Sequence, residues 1–254
     1  MSPVDHTQNI IEVENVFFSY GQCDVLKDIT LTIHKGDYLG LVGPNGSGKT
    51  TLIKVILGLL KPRRGLIRLF GDDIKDFQNW HKISYVPQKT ISFEVGFPAT
   101  VKEVVLMGRY GRRGMFHKVT AEDRKKTEEA LKEVNMWNFR DCLIGELSGG
   151  QQRRVFIARA LASQPEVIFL DEPTVGIDKT NQEELYAILR KLNKDMDLTL
   201  VMVSHDIEKI VQETMHIACI DRTLVCHASP EDFLKDSPLQ NILGYNIKMI
   251  HHRH

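Results

Sequence analysis

The sequence of 254 residues contains no hydrophobic run long enough to cross a membrane. Its nearest approach is VFIARALASQPEVIFL, which Arg159, Gln164, Pro165 and Glu166 interrupt. A membrane-spanning helix needs roughly 18 to 20 apolar residues in succession. The opening stretch MSPVDHTQNIIEVENV also lacks the charged and apolar regions of a secretory signal peptide. We therefore expect a chain that carries no export signal and does not cross a membrane itself.

Neither sign of charge is in excess, because 33 Lys and Arg residues balance 33 Asp and Glu residues. Proteins that bind nucleic acid mainly through attraction to its phosphates depend on a basic surface. The neutral balance disfavours that class, although it leaves local basic patches open. We expect no nucleic-acid partner.

Paired-cysteine motifs are absent as well. The four cysteines are scattered and show no C-x-x-C spacing: Cys23, Cys142, Cys219 and Cys226. In a chain without an export signal, cysteines of this kind are expected to be reduced and mostly buried. Zinc coordination by these cysteines is not expected.

The periodicity of apolar residues predicts an α/β fold. Residues 10–20 and 25–33 alternate apolar and polar side chains like half-buried antiparallel strands. Residues 38–43, 166–173 and 198–206 are continuously apolar, as in strands of a parallel sheet that are buried on both faces. Helical patterns cover 49–58, 101–108, 121–135, 149–163 and 179–194, with Thr120 and Ser148 as N-caps.

The order of these elements indicates one domain over residues 1–254. Its core is a mostly parallel sheet flanked by helices, with an antiparallel β layer near the N-terminus. From about residue 89 to 164 we find helices but no strong strand, which predicts an inserted helical subdomain. Residues 236–254 are interpreted as a C-terminal tail. The histidines of its final HHRH do not predict a metal site, because neighbouring histidines in an unstructured end lack a preformed cage.

GPNGSGKT at residues 43–50 has the composition and context of a phosphate-binding loop, because it follows a buried strand and opens a helix. Backbone N–H groups and the helix N-terminus attract anions. Lys49 can reach the β- and γ-phosphates of a nucleotide, and the Thr50 hydroxyl can bind Mg²⁺. The G-x-G-x-x-G fingerprint of nicotinamide and flavin sites is not met. The candidate phosphate-binding residues are Gly43, Pro44, Asn45, Gly46, Ser47, Gly48, Lys49, Thr50 and Thr51.

A phosphate-binding loop alone leaves kinases, GTPases and motor ATPases open, but VIFLDEP narrows the choice. Its apolar strand ends in two acids, Asp171 and Glu172. Asp171 is predicted to hold the water shell of Mg²⁺, as the corresponding acid does in other proteins with this loop. Glu172 is then placed to polarise an attacking water. The pair predicts hydrolysis of a nucleoside triphosphate.

LSGGQQRR at residues 147–154 places Ser148, Gly149 and Gly150 at a helix start, with Gln151 as a further candidate residue. Taken alone, the motif favours an ordinary Ser-capped helix, but after a phosphate-binding loop it also suggests a second anion-binding site. Two phosphate sites in one chain suggest a head-to-tail dimer. In such a dimer each phosphate-binding loop faces the partner's second site, and two ATP molecules lie between the protomers.

These motifs give the chain a resemblance to the ATP-binding subunits of ABC transporters that covers nearly its whole length. GPNGSGKT resembles the Walker A motif, VIFLDEP the Walker B motif and LSGGQQ the family signature. Gln88 in SYVPQ resembles the Q-loop glutamine, and Asp178 in GID the D-loop aspartate. His205 in VSHD resembles the switch histidine, and Tyr20 in FFSYG the aromatic residue that stacks on adenine.

The resemblance implies an ATPase with ATP and Mg²⁺ as cofactors. Catalysis would involve Lys49, Glu172 and His205, and Mg²⁺ would be held by Thr50, Gln88 and Asp171. The implied partners are a second copy of the chain on ATP binding, a polytopic membrane permease and, indirectly, an extracytoplasmic substrate-binding protein. The implied location is the cytoplasmic face of the cell membrane, as a peripheral subunit.

The transported substrate is suggested by FPATVKEVVLMGRYG (97–111) and TVGID (174–178), which resemble the ATPases of zinc and manganese uptake systems. We favour zinc, followed by manganese and then iron or a metal chelate. Arg109, Arg112 and Arg113 are candidates for contacting the permease, with a solvated basic face as the alternative for each of them.

Two other classes remain as alternatives. One is a soluble ABC-type ATPase that acts on nucleic acid or ribosomes, but such relatives carry two cassettes or a long coiled-coil insertion, and neither is found here. The other is a binding module that does not hydrolyse ATP, which Asp171, Glu172 and His205 disfavour.

Overall fold

The chain folds into the expected α/β architecture. The computed structural model describes residues 5–88, 97–113 and 118–235. Within these ranges, no helix has the length and hydropathy that a bilayer-spanning helix requires. The predicted tail at 236–254 and the start of the predicted helical subdomain at residue 89 lie outside the described residues.

The described elements follow one another as strands β1 to β10 and helices α1 to α8. The strands are β1 (Asp5–Tyr20), β2 (Cys23–Lys35), β3 (Tyr38–Val42), β4 (Arg64–Leu69), β5 (Asp72–Asp73), β6 (Ile83–Val86), β7 (Val167–Asp171), β8 (Thr199–Val203), β9 (His216–Asp221) and β10 (Thr223–Ala228). The helices are α1 (Lys49–Ile56), α2 (Val101–Leu106), α3 (Tyr110–Arg113), α4 (Ala121–Glu133), α5 (Gly149–Ala162), α6 (Lys179–Met196), α7 (Ile207–Glu213) and α8 (Pro230–Lys235).

The chain divides into two compact units, which we name after the motifs they carry. The P-loop unit contains Asn9–Ile33, Tyr38–Lys75 and the residues from Val203 onward. The signature unit contains His34–Asp37 and Asp76–Met202, together with Gln8 and the residues before it.

The P-loop unit contains the antiparallel layer that the alternating patterns predicted. Its four strands have the order β2-β1-β4-β5. The pairing of Ile11 with Leu69 and of Val13 with Ile67 places buried apolar side chains on one face. Glu14, the next residue after Val13, lies on the other face, where its carboxylate is 2.7 Å from the guanidinium of Arg68. The predicted antiparallel layer is therefore confirmed.

The same unit contains the strand that leads into the phosphate-binding loop. All five residues of β3 are buried, and β3 runs parallel to β9, with Val42 opposite Cys219. β9 continues into β10 as an antiparallel hairpin. The continuous apolar pattern of β3 therefore reflects burial on both faces.

In the signature unit, β7 and β8 are fully buried, and the strand order is β8-β7-β6. β6 and β7 are parallel, with Val86 opposite Leu170. Helices α2, α4 and α5 pack against one another and bury Val104, Leu131 and Ile157. Between residues 97 and 164, the described residues form helices and one isolated bridge, from Thr100 to Leu143. The helical subdomain that we predicted there stays a prediction.

The cysteines correct the expectation of four reduced side chains. Cys219 of β9 and Cys226 of β10 form a disulfide, with their Cα atoms 4.9 Å apart. They lie opposite each other in the hairpin, a pairing that a spacing of seven residues does not reveal. Cys23 and Cys142 are free, but Cys23 is exposed and Cys142 is half-buried, so the expected burial is wrong for them as well.

Arg109 is also placed differently from the expectation that it contacts a permease. Only 4% of this residue is exposed, and its Nε donates a 3.0 Å hydrogen bond to Asp123. Burial raises the pKa of Asp123, but hydrogen bonds from Thr120 and Arg109 outweigh it and lower the pKa to about 2. Arg113 lies 3.0 Å from the same carboxylate. Arg109 therefore stabilises the signature unit from within.

Candidate functional site

The phosphate-binding loop owes its shape to glycine at two positions. Gly43 has a φ of 150°, and a Cβ there would lie 2.0 Å from the carbonyl oxygen of Ile220 in β9. Gly48 has a φ of 104°, and a Cβ there would lie 2.7 Å from the side chain of Leu26. Both positions combine a left-handed backbone with a close neighbour, so other residues would strain the loop. Gly43 and Gly48 therefore set the path of the backbone through the loop.

The ammonium of Lys49 lies inside this loop. Its Nζ donates 2.8 Å hydrogen bonds to the carbonyl oxygens of Gly43 and Pro44 and lies 3.4 Å from the Ser47 hydroxyl. Lys49 is also the first residue of α1, where N–H groups without helical partners attract anions. A polyphosphate fits a cradle in which a fixed cation and a helix N-terminus converge.

The loop is tied to its surroundings through backbone hydrogen bonds. The N–H of Arg222, in the turn between β9 and β10, donates to the carbonyl of Ser47 at 2.9 Å. Asn45 and Gly46 are exposed at the tip, whereas Thr50 and Thr51 are half-buried in the first turn of α1. The exposed tip of the loop and the hydrogen bond that fixes Ser47 are consistent with a preformed phosphate site.

Two further candidate residues belong to the P-loop unit. Tyr20 ends β1 with 50% of its surface exposed, and its ring packs edge-on against Phe18 at 4.8 Å. His205 is exposed between β8 and α7. The preceding Ser204 donates its N–H to the carbonyl of Leu41 at 3.4 Å, two residues before Gly43. His205 therefore directly follows Ser204, which is hydrogen-bonded to β3, the strand that leads into the phosphate-binding loop.

The two candidate acids lie at the end of β7 in the signature unit. Asp171 is buried and accepts a 3.3 Å hydrogen bond from the hydroxyl of Tyr85. Burial raises the pKa of Tyr85, and the charge of Asp171 raises it further. The Tyr85 hydroxyl therefore stays protonated and donates the hydrogen bond. Glu172 has a φ of 46°, a strained conformation for a residue with a side chain.

Gln88 lies beside Glu172, as the pairing of their strands requires. Val86 pairs with Leu170, and Gln88 and Glu172 each follow two residues later. The side-chain amide of Gln88 donates a 2.6 Å hydrogen bond to the Glu172 carboxylate. The structure thus brings together a predicted Mg²⁺ ligand and the predicted base.

The signature motif begins α5 with a reciprocal cap. The Ser148 hydroxyl accepts from the N–H of Gln151 at 3.3 Å, and the Gln151 side chain accepts from the N–H of Ser148 at 3.0 Å. Ser148 and Gly149 are exposed, and a Cβ on Gly149 would meet nothing within 4 Å. An open helix start of this kind can receive an anion.

Asn181 connects the signature helix with Asp178. A Cβ on Gly150 would lie 3.1 Å from the Asn181 side chain. Asp178 caps α6 by accepting hydrogen bonds from the Asn181 side chain at 2.6 Å and from its N–H at 3.1 Å. These bonds lower the pKa of Asp178, the side-chain bond most strongly. Sequence reasoning identified Asp178 but missed Asn181, because an asparagine near a helix start carries no distinctive signal.

Arg153 was the second residue missed. It lies in the signature stretch, where sequence reasoning gave the Gln-Arg-Arg run no role. Its guanidinium is buried and donates to the carbonyl oxygens of Pro87 and Gln88 at 3.0 and 3.1 Å. The signal available in the sequence was a charged residue, Arg153, in the first turns of a helix that begins with two glycines.

The candidate residues are thus distributed over both units. The P-loop unit contains the phosphate-binding loop, Tyr20 and His205, and the signature unit contains Gln88, the signature motif, both acids and Asp178. No group of three or more His, Cys, Asp or Glu side chains could hold a metal ion within the described ranges. The oxygen donors of Thr50, Gln88 and Asp171 are nevertheless of the type that suits Mg²⁺, which takes few protein ligands beside nucleotide phosphates.

Comparison with known proteins agrees with this arrangement. Residues 26–175 match the family model described as "ABC transporter". The chain is 45% identical over 224 residues to the zinc uptake system ATP-binding protein ZurA of Listeria innocua, covering 88% of this chain and 87% of that protein. It is 37% identical to the manganese transport system ATP-binding protein MntB of Halalkalibacterium halodurans, covering 88% and 87%.

A solved structure shows the same fold. It is the dimeric, post-hydrolysis state of the ATP-binding cassette MJ0796 bound to ADP and Pi, with a TM-score of 0.72 and 28% identity. The match covers 87% of this chain and 98% of that one. The family model extends from β2 through the phosphate-binding loop, the signature motif and the two acids. The chain therefore belongs to the ABC transporter family.

Proposed function

We propose that this chain is the ATP-binding and ATP-hydrolysing subunit of a transporter that imports a divalent metal ion, zinc in first place. The observation that carries the ATPase proposal is the Lys49 ammonium held inside the phosphate-binding loop at 2.8 Å from two carbonyl oxygens. A bound triphosphate offers this cation stronger acceptors than the loop's own carbonyls. Substrate transport then requires a separate membrane subunit.

The remaining roles follow from the chemistry of each side chain. Lys49 and the N–H groups of residues 43–51 bind the phosphates, and Tyr20 offers an exposed ring to the base. Thr50, Gln88 and Asp171 supply oxygen ligands or hold the water shell of Mg²⁺, which neutralises phosphate charge when it is bound. Glu172 accepts a proton from the attacking water, and His205 donates a hydrogen bond to the γ-phosphate. The 2.6 Å bond from Gln88 supports a shared task for Gln88 and Glu172.

We further propose that the chain works as a homodimer when ATP is bound. The helix start at Ser148 and Gly149 is exposed, and Ser148 caps α5. In a dimer it would bind the γ-phosphate of ATP held by the partner's loop, and Asp178 would lie at the seam. The dimeric state of the MJ0796 cassette supports this arrangement.

The permease is proposed to bind a groove in the signature unit. This cavity of about 570 Å³ lies between β6, α5 and residues 107–111. Its lining includes apolar side chains, a histidine and an arginine, namely Trp80, His81, Met107, Phe156 and Arg159. Trp80 and Met107 are 40% and 43% exposed, so a helix of the permease could cover them. Residues 107–111 also belong to the stretch that resembles the metal-uptake ATPases.

These partners imply a peripheral subunit on the cytoplasmic face of the cell membrane. An extracytoplasmic binding protein would deliver the metal to the permease, and this chain would not touch the ion. Zinc is preferred because the ZurA relative is more similar than the manganese relative, at 45% against 37% identity. Manganese is the second candidate because of the similarity to the manganese transport system ATP-binding protein.

Disrupting the gene tests this proposal. The strain should grow poorly in chelated medium, and added Zn²⁺ should restore growth better than Mn²⁺ or iron. Rescue by Mn²⁺ alone would move the assignment to the second candidate. Growth equal to the parent, in a strain with other metal importers deleted, would contradict a metal substrate. Co-purification with a polytopic membrane protein would separate a transporter subunit from a soluble ATPase acting on nucleic acid or ribosomes.

A further inference from the structure

Arg153 connects the signature helix with the segment that carries Gln88. It lies one turn into α5, and only 7% of the residue is exposed. Its two terminal nitrogens donate separately to the carbonyl oxygens of Pro87 and Gln88, at 3.0 and 3.1 Å. The planar, forked guanidinium suits two neighbouring acceptors, whereas a lysine ammonium would approach them as a single point.

Both carbonyls belong to the chain just after β6, which ends at Val86. Gln88 itself is exposed, so side-chain packing does little to fix it. Its side chain nevertheless donates a 2.6 Å hydrogen bond to Glu172. The backbone of Gln88 is therefore held by Arg153 while its amide contacts the predicted base.

The neighbouring Arg154 makes a different connection. Its guanidinium donates to Glu184 at 2.7 Å and lies 3.4 Å from the Asn181 side chain, both in α6. Two successive arginines of one helix thus hold two different elements. Arg154 is a matched control for Arg153, because it has the same charge and length and lies in the same helix, but its side-chain hydrogen bonds among the described residues go to α6.

The environment keeps Arg153 charged despite its burial. Burial lowers the pKa of the guanidinium, and the negative charge of Asp171 opposes this effect. A guanidinium starts from so high a pKa that it stays protonated in proteins. Arg153 therefore interacts electrostatically with Asp171. It also binds the backbone of Gln88, whose side chain contacts Glu172.

We infer that Arg153 is a positioning residue, which fixes the Gln88 side chain on Glu172 by clamping the Gln88 backbone to the signature helix. This inference rests on the proposed roles of Gln88 and Glu172. It gives the signature helix a direct mechanical connection to the predicted base within one chain. A displacement of α5 would thereby change the orientation of Gln88.

The test is a double-mutant cycle between Arg153→Met and Gln88→Ala, with ATP hydrolysis by the full-length chain as the readout. Arg153→Met removes the donors and keeps an unbranched apolar stem. We expect kcat to fall about tenfold with KM changed less than about twofold, because only the orientation of reacting groups is lost. In a Gln88→Ala background, the same substitution should change kcat by less than about twofold, because the group that it positions is gone. Arg153→Lys should recover part of the loss.

Hydrogen exchange of the nucleotide-free chain gives a readout that does not depend on catalysis. Exchange in a peptide spanning residues 84–88 should rise in Arg153→Met and stay at the wild-type level in Arg154→Met. Independent effects of Arg153→Met and Gln88→Ala on kcat would overturn the inference, as would unchanged exchange. If Arg153→Met does not fold, Arg153→Lys and Arg153→Gln carry the same cycle. Failure of the proposed function would appear differently, as a wild-type chain that does not hydrolyse ATP.

Discussion

The side-chain amide of Gln88 donates a 2.6 Å hydrogen bond to the carboxylate of Glu172. This contact joins the ends of β6 and β7, which run parallel and in register. Glu172 also has a left-handed backbone, with a φ of 46°. Strained residues of this kind cluster at functional sites, where surrounding contacts hold them in place. The geometry is consistent with Glu172 as the base and with Gln88, a proposed Mg²⁺ ligand, as its neighbour.

Replacing Glu172 by glutamine should separate binding from hydrolysis. The amide keeps the size of the side chain but cannot accept the proton of the attacking water. We expect ATP affinity within about twofold of the wild-type value and kcat lower by about 10²- to 10⁴-fold, the usual contribution of a general base. The variant should also accumulate an ATP-bound dimer in size-exclusion chromatography. Hydrolysis at the wild-type rate would mean that Glu172 is not the base.

Lys49→Ala and Ser148→Arg should fail at different steps. Removing the Lys49 ammonium should weaken ATP binding to the isolated chain by about 10²-fold, because charge-assisted bonds to the phosphates are lost. An arginine at Ser148 should leave that affinity unchanged and prevent the dimer, because it blocks the exposed helix start. Fluorescent-nucleotide titration and light scattering measure the two quantities. Equal loss of binding in both variants would contradict sites on opposite protomers.

Local chemistry made several elements predictable. Thr120 and Ser148 were identified as N-caps from sequence, and each forms a reciprocal capping box. The continuous apolar runs at β3, β7 and β8 predicted full burial, which the structure confirms. Signals of this kind lie within a few residues of the feature they predict.

Features that depend on pairing between distant segments were not predictable. β6, β9 and β10 are short strands without a clear alternation, and pairing with β7 and β3 stabilises β6 and β9. The residues Gln88 and Glu172 were identified, but their contact depends on the register of β6 and β7. The burial of Arg109 likewise follows from Asp123, 14 residues further along the chain.

Asp123 should be a stability residue of the signature unit. Asp123→Ala removes both the Asp123 half of the capping box of α4 and the buried partner of Arg109, so we expect a loss of about 3 kcal/mol in the free energy of unfolding. Glu128→Ala on the same helix breaks the exposed pair with Lys132 and should cost less than about 1 kcal/mol. Urea unfolding measures both. Equal costs would show that burial of the Arg109–Asp123 pair is energetically irrelevant.

The same carboxylate makes a prediction for acid conditions. The pKa of Asp123 lies at about 2 in the folded chain, below its ordinary value of 3.8. The lowered pKa therefore adds to the free energy of unfolding above about pH 4, and this stabilisation is lost as the pH falls from about 4 towards 2. Asp123→Asn should be less stable than the wild type at pH 6, and the difference should shrink in this acid range. A difference that stays constant down to pH 2 would contradict the lowered pKa.

The disulfide predicts the number of reactive thiols. The chain denatured without a reductant should react through Cys23 and Cys142, and through all four cysteines after reduction. Cys226→Ser should lower the free energy of unfolding by about 2 kcal/mol, because the short covalent loop is opened. Cys142→Ser is the control and should leave it nearly unchanged. Four reactive thiols before reduction would contradict the pairing of Cys219 with Cys226.

Uptake of radioactive zinc by intact cells tests the proposed function most directly. Cells lacking the gene should regain uptake when they carry the wild-type chain but not when they carry Glu172→Gln, with equal amounts of both proteins at the membrane. Excess unlabelled Zn²⁺ should abolish the signal, and the same excess of Mn²⁺ should reduce it only weakly. Equal zinc uptake with the wild-type chain and Glu172→Gln would contradict ATP-driven zinc import by this protein.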